Sequence, residues 1–435
     1  MDRAKELFSF IQSSPSAFHA VKTLSGMLDA AGYTKLQESE KWQLEKGKGY
    51  YVTRNLSSII AFTVPECGFA PFQMCASHSD SPVFKLKKTA EVTSAGHFVQ
   101  LDVENYGGMI MSTWFDRPLS VAGRVFVKTE NGIGVRLVNI DKDTCVIPSV
   151  AIHMNRQVND GYKINPAKDI PPLVCSANAK GSFTKEIAEC AGAAPEDIIG
   201  SDLFLYNRME GTQWGNDGEY ISCGRLDDLE CAFTSMQAFI EAKKTDHISM
   251  CIVFDNEEVG NRTRQGAESS FLSDVTLRIA HALGADDDTY RMALTSSFML
   301  SADNAHSTHP NHPEYADPAN QVFMNEGIVI KFNARQSYAT DGIGEAVFRT
   351  ILDNAKVPYQ IFHNRSDLPG GGTLGNGSSC KVPVSTVDIG LAQLAMHSCY
   401  ETAGAKDIGY MIDGIRAFYE AQITCREDGV YDIHG

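Results

Sequence analysis

The chain has 435 residues, 43% of them hydrophobic and 21% charged, with a formal net charge of −16. That length exceeds what one hydrophobic core normally serves, so two domains, or one carrying a large insertion, are expected. No apolar run approaches the roughly 20 residues that span a bilayer, and the negative balance argues against a nucleic-acid or anionic-membrane surface, which needs basic patches to neutralise phosphates. Eleven cysteines, an odd number without a Cys-x-x-Cys pair, argue against a disulfide framework and a thiolate zinc site; a reducing cytoplasm is the expected location.

At the N-terminus, MDRAKELFSFIQSSPSAFHAVKTL carries charges at Asp2, Arg3, Lys5 and Glu6 and no continuous apolar stretch. It reads as an amphipathic helix and not as a secretion signal. FQMCASHSD then rises through Phe72 to Ala76 and stops at His78 and Asp80. In such a His-x-Asp pair the carboxylate can accept one ring N–H and fix the tautomer that offers the other nitrogen to a metal. A hydrogen-bonded surface histidine is the plain alternative.

Between residues 92 and 223 the texture changes to short alternating runs such as GRVFVKTENGIGVRLVNI. Asn-Gly at 131–132 and Asn-Asp-Gly at 159–161 punctuate them, and these hairpin and turn signals predict a mostly β insertion within an α/β domain. In GRLDDLECAFTSMQAFIEA, Asp227 and Asp228 open an amphipathic helix, where they could cap it or offer carboxylate oxygens to two cations.

SMCIVFDNEE and SSFMLSADNAH repeat the earlier pattern of a β-rich run ending in polar groups, here Glu257 with Glu258, and Asp303 with His306. Ligands in open α/β sheets gather beyond the carboxyl ends of strands, so three such ends suggest one shared pocket. Adjacent Glu257 and Glu258 can divide two tasks, one binding metal and the other accepting a proton from attacking water; a solvated acidic turn is the alternative. PGGGTLGNGSS at 369–379 lacks the spacing of a phosphate loop and reads as a mobile or substrate-facing turn. His397 in LAMHSCYE completes a possible ligand set, and Ile408, Met411, Ile412, Ile415 and Phe418 recur at helical intervals in the tail.

An inventory of His, Asp, Glu, Asp and His without cysteine suits two cations such as zinc, manganese or cobalt. Two ions about 3.5–4 Å apart polarise a carbonyl and make water nucleophilic, which is a hydrolytic design.

Taken in order, ASHSDSP, GRLDDLE, VFDNEEVG, SADNAHSTHPN, GIVIKFNARQSYATD and LAMHS resemble the M18 family of metalloaminopeptidases, whose best-known activity is aspartyl aminopeptidase. The likeness extends over nearly the whole chain, including SPSAFHAV and WFDRPLSVAGRV. It implies an α/β zinc-exopeptidase-like fold, a mixed sheet sandwiched by helices, with residues 1–91 and 224–435 forming the catalytic domain. Residues 92–223 would form an inserted β-rich oligomerisation domain. By the same resemblance His78, Asp227 and Asp303 bind one metal and Asp227, Glu258 and His397 the other, with Asp227 bridging. Glu257 would be the general base beside Asp80.

The resemblance further places His306, Lys331 and Tyr338 at the substrate, with Lys331 the partner of an acidic side chain or carboxylate. A histidine matching His153 would reach the active site of a neighbouring subunit in a tetrahedral dodecamer. Pro118, Asp228 and Tyr400 depart from the usual family wording, though none removes a ligand. The expected activity is therefore a cytoplasmic dinuclear aminopeptidase, zinc-dependent or served by cobalt or manganese, acting on short peptides with acidic N-termini. A broad or neutral-residue aminopeptidase, a related deacylase and a noncatalytic metal-stabilised assembly protein stand as alternatives.

Overall fold

The computed structural model of the chain describes residues 2–434. Among these residues the central sheet has nine strands. Its middle is parallel: Ile248–Phe254, Phe72–His78, Phe298–Ala302 and Ser385–Gly390 lie side by side in that order. Ser58–Thr63 and Ile328–Phe332 pair antiparallel on either flank, so the sheet is mixed.

Near-continuous apolar runs form these strands because both faces are covered. Side chains alternate across a strand: Phe72, Met74 and Ala76 join one core with Met250, Ile252 and Phe254, while Cys75, Cys251 and Val253 join the other. Helices Arg3–Gln12, Ala17–Ala30, Leu226–Glu241, Gly342–Ala355 and Asp407–Glu420 cover the second face. Helix Phe271–Ala282 covers the first through Phe271, Leu272, Val275 and Ile279. The N-terminal segment makes two helices instead of one. Pro15 stands between them, and without an amide hydrogen it cannot continue a helix interior.

A second sheet has six antiparallel strands among the described residues, in the order Gly132–Asn139, Leu119–Thr129, Ile198–Asn207, Val83–Ser94, Phe98–Tyr106 and Leu173–Ser176. It carries its own core, in which Phe84, Leu101, Val121 and Leu205 meet Phe183 and Ile187 of helix Ser182–Ala191. The hairpin expected at Asn131-Gly132 is present, with Thr129 opposite Gly132. Thr212–Trp214 and Tyr220–Cys223 pair elsewhere, in a five-stranded sheet with Glu401–Gly404, Ala392–Leu394 and Ala305–His306. No helix among the described residues is long and apolar enough to cross a membrane.

The glycine-rich stretch is only partly a loop, because Leu374–Lys381 is helical. Two of its glycines serve close packing. A Cβ on Gly375 would fall 2.6 Å from the Asp388 carboxylate, and one on Gly377 would fall 2.9 Å from Glu268.

Candidate metal centre

Parallel neighbours end on the same edge of a sheet, roughly 4.8 Å apart. Strand Phe72–His78 lies between Ile248–Phe254 and Phe298–Ala302, so His78, the turn carrying Glu257 and Glu258, and Asp303 emerge side by side. Asp227 comes from the chain entering helix Leu226–Glu241. Its backbone (φ −80, ψ 107) and that of Asp228 (φ −120, ψ 23) are not helical. Neither carboxylate caps the helix; Asp228 accepts the His78 backbone N–H at 2.9 Å.

Asp227 stands between two histidines. His78 Nε2 lies 3.5 Å from Asp227 Oδ1 and 3.7 Å from Asp303 Oδ1. His397 Nε2 lies 3.4 Å from Asp227 Oδ2 and 3.5 Å from Glu258 Oε2. Ligands about 2.0–2.2 Å from a tetrahedral zinc are about 3.3–3.6 Å from one another, so each set has the spacing of a shared cation. His78 Nε2, Asp227 Oδ1 and Glu258 Oε1 are buried with no hydrogen-bond partner, a costly condition unless something positive meets them. The donors present therefore fit divalent metal.

Each histidine is oriented from behind. His78 Nδ1 lies 3.1 Å from the Asp80 carbonyl and 3.2 Å from its carboxylate, which leaves Nε2 facing Asp227. His397 Nδ1 donates to the Gly108 carbonyl at 2.5 Å. His397 itself has φ +66, a left-handed conformation that costs a residue with a Cβ roughly 1–2 kcal/mol. Hydrogen bonds on both sides hold it there: its N–H donates to Glu401 Oε1 at 2.7 Å, and its carbonyl accepts from Ile110 at 2.9 Å.

The electrostatics describe a place short of positive charge. Burial, with Asp303, Asp80 and Asp227 nearby and His78 opposing, pushes the Glu257 carboxyl up to about 8. Burial and Asp227 raise Glu258 well above the usual carboxylate range. His78 moves the same way for a different reason: burial would lower its pKa, but Asp228, Asp227, Asp303 and Asp80 together hold it high. Such crowding is what cations relieve.

A cavity of about 440 Å3 opens onto these groups, and Glu257, His306, Lys331 and Tyr338 line it. The Lys331 ammonium is buried and already engaged, 2.8 Å from the Asp303 carbonyl and 3.5 Å from its carboxylate. His153 is not among the lining residues; it lies exposed in a turn. Gly371, Gly372, Thr373 and Asn376 do line the cavity, so the glycine-rich stretch faces it. Sequence reading missed Glu401, which is buried and accepts the backbone N–H of both Asp227 (3.0 Å) and His397 (2.7 Å). Its sequence position follows His397 closely, but nothing in the residue type reveals a role exercised through two amides.

The family model described as Aminopeptidase I zinc metalloprotease (M18) matches residues 10–419. A Clostridium acetobutylicum protein named "Probable M18 family aminopeptidase 2" is 43% identical over 430 residues, covering 96% of this chain and 99% of that relative. One of the same name from Pseudomonas paraeruginosa is 36% identical over 424 residues, covering 95% and 97%. Among solved structures, Ape4 in its complex with Nbr1 superposes with a TM-score of 0.93 at 33% identity, covering 96% of this chain and 85% of the other. The S. cerevisiae mApe1 dodecamer gives 0.85 at 28%, covering 96% of each chain.

Proposed function

The chain belongs to the M18 family of zinc metalloaminopeptidases, and we propose that it uses two divalent cations to remove acidic N-terminal residues from short peptides. One observation carries this reading: Asp227 presents one oxygen to His78 and the other to His397, at 3.5 and 3.4 Å. His78, Asp227 and Asp303 would hold one cation, and Asp227, Glu258 and His397 the other. Bound there, the pair would supply Lewis acidity to the scissile carbonyl and to water.

The rest of the chemistry belongs to the protein. Glu257 lines the cavity beside the proposed ligands, placed to take a proton from the attacking water and give it to the leaving amine. Neighbouring carboxylates offer acceptors for a free N-terminal ammonium, which explains cleavage at a chain end. Asp80 fixes the ring of His78 and accepts the Glu257 N–H at 3.2 Å, so it aligns base and ligand together.

Lys331 is the cation that supports a preference for acidic side chains. Its existing bonds to Asp303 favour a second reading, a broad or neutral-residue aminopeptidase, since an incoming carboxylate must compete with them. Peptides with N-terminal Asp, Glu or Leu, assayed with zinc, cobalt or manganese, separate the two. On the acidic reading Lys331→Ala lowers kcat/KM for Asp peptides at least tenfold more than for Leu peptides. Equal losses assign Lys331 to holding Asp303, and no hydrolysis of any of them refutes the aminopeptidase.

Assembly is part of the proposal. Around His153 the inserted region exposes Val150, Ile152, Met154 (83% exposed) and Val158, an apolar surface of the kind that partners cover. The likeness to a dodecameric relative supports a homo-oligomer, and in such an assembly the exposed His153 would enter the cavity of a neighbouring subunit. A cytoplasmic location is proposed on the same footing as the free cysteines.

A further inference from the structure

Strand Phe98–Tyr106 of the second sheet ends at the metal centre. Its last residue, Tyr106, donates its hydroxyl proton to Asp80 Oδ2 at 2.7 Å. The direction of that bond is settled from the other side, because the Tyr106 oxygen accepts from Asn256 Nδ2 at 2.7 Å. Asn256 is oriented in turn by Thr263 Oγ1 and Gln265 Nε2, each donating to its Oδ1 at 2.8 Å. The chain of donors therefore runs from Gln265 through Asn256 and Tyr106 to Asp80, each bond polarising the next.

Asp80 spreads this restraint over the centre. Its Oδ1 lies 3.2 Å from His78 Nδ1 and 3.2 Å from the Glu257 N–H, while Oδ2 accepts the Glu258 N–H at 3.2 Å. Two residues beyond Tyr106, the Gly108 carbonyl fixes His397 Nδ1 and Ile110 N–H holds the His397 carbonyl. One short run of the inserted region, 106–110, thus supports both histidines and both glutamates.

We propose that Tyr106 is a positioning residue of the metal centre, coupling the inserted sheet to the ligands through its hydroxyl on Asp80. The proposal rests on the reading of His78, Asp227, Glu258, Asp303 and His397 as metal ligands.

Tyr106→Phe removes the hydroxyl and keeps the ring, which packs edge-on against Phe204 with centroids 5.7 Å apart. Outer hydrogen bonds of metal ligands typically contribute about 10–100-fold in affinity or activity. Zinc binding to metal-stripped protein, measured by competition with a chromophoric chelator, should weaken by about that factor. With saturating zinc, kcat should fall about tenfold with KM within twofold, and the acidic limb of the pH profile should move. Phe204→Leu, which loses the ring contact and keeps the hydroxyl, should bind zinc as the wild type does. Asn256→Gly, compatible with the left-handed backbone there (φ +64), should give a smaller loss in the same direction.

Unchanged zinc affinity and kcat in Tyr106→Phe overturn the proposal. So does a Phe204→Leu as impaired as Tyr106→Phe, which would make the ring contact the cause; if Tyr106→Phe does not fold, an unaltered Asn256→Gly decides against it. A wild type that binds no zinc removes the metal centre itself, an outcome distinct from either.

Discussion

The two halves of the proposed metal centre are built differently. Around His78 the proposed ligands other than the shared Asp227 sit at the ends of adjacent parallel strands; His78 is fully buried and Asp303 is 8% exposed. Around His397 they sit on turns, Glu258 in a short 3-10 segment and His397 on a left-handed loop residue whose side chain is 31% exposed. Strand ends are fixed by the whole sheet ladder, whereas the loop is fixed by a few hydrogen bonds from Glu401, Gly108 and Ile110. The first half is therefore preorganised, and the second depends on neighbours that can be removed one at a time.

The comparison is sharpened most by a change that touches neither half. Glu257→Gln should lower kcat by about 10²–10⁴-fold, the usual contribution of a general base, while metal content stays as in the wild type. Loss of an ion in that variant would make Glu257 a ligand and blur the division of labour between the two glutamates.

Removing one histidine from each half tests the asymmetry directly. His397→Ala should leave one tightly held zinc and a second that dialyses away, seen as a stoichiometry falling from two to one per chain. His78→Ala should disturb both, because His78 also anchors Asp80 and takes its own N–H to Asp228. Equal effects of the two substitutions would show that the strand ends confer no advantage.

The smallest effect is a pH dependence of the metal-stripped protein. Glu257 and Glu401 are each pushed up to about 8, first by burial. His397, which burial would lower, is raised to about 9 by Asp227. Groups whose folded pKa is raised bind more protons folded than unfolded, so their stability is present at low pH and lost as pH rises. For the glutamates the window runs from about 4.5 to about 8, and each unmatched proton costs about 1.4 kcal/mol per pH unit across it. Asp227 is held low by its histidines against burial, so its contribution is lost only on acidification below that window. The melting temperature of stripped protein should fall between pH 5.5 and pH 8, and added zinc should flatten the fall; a rise would reverse the electrostatic account.

What the sequence made legible follows the same division. Polar groups that follow a strand announce themselves, because an apolar run that stops at His78, at the turn of Glu257 and Glu258 or at Asp303 has one direction in which to point them. The glycine-rich stretch misled because glycine signals freedom in a sequence, whereas Gly375 and Gly377 are required by contact with Asp388 and Glu268. Glu401, Gly108 and Tyr106 gave no signal at all. They act through backbone amides, a carbonyl and a phenol hydroxyl from segments far apart in the chain, and only the fold brings them to Asp227, His397 and Asp80.

The central claim is that Asp227 is shared by two cations. Anomalous diffraction at the zinc edge from crystals grown with zinc tests it most directly. Two peaks about 3.5–4 Å apart, one on each side of the Asp227 carboxylate, with His78 at one and His397 at the other, are predicted. A single peak, or two peaks with Asp227 on neither, would contradict the account.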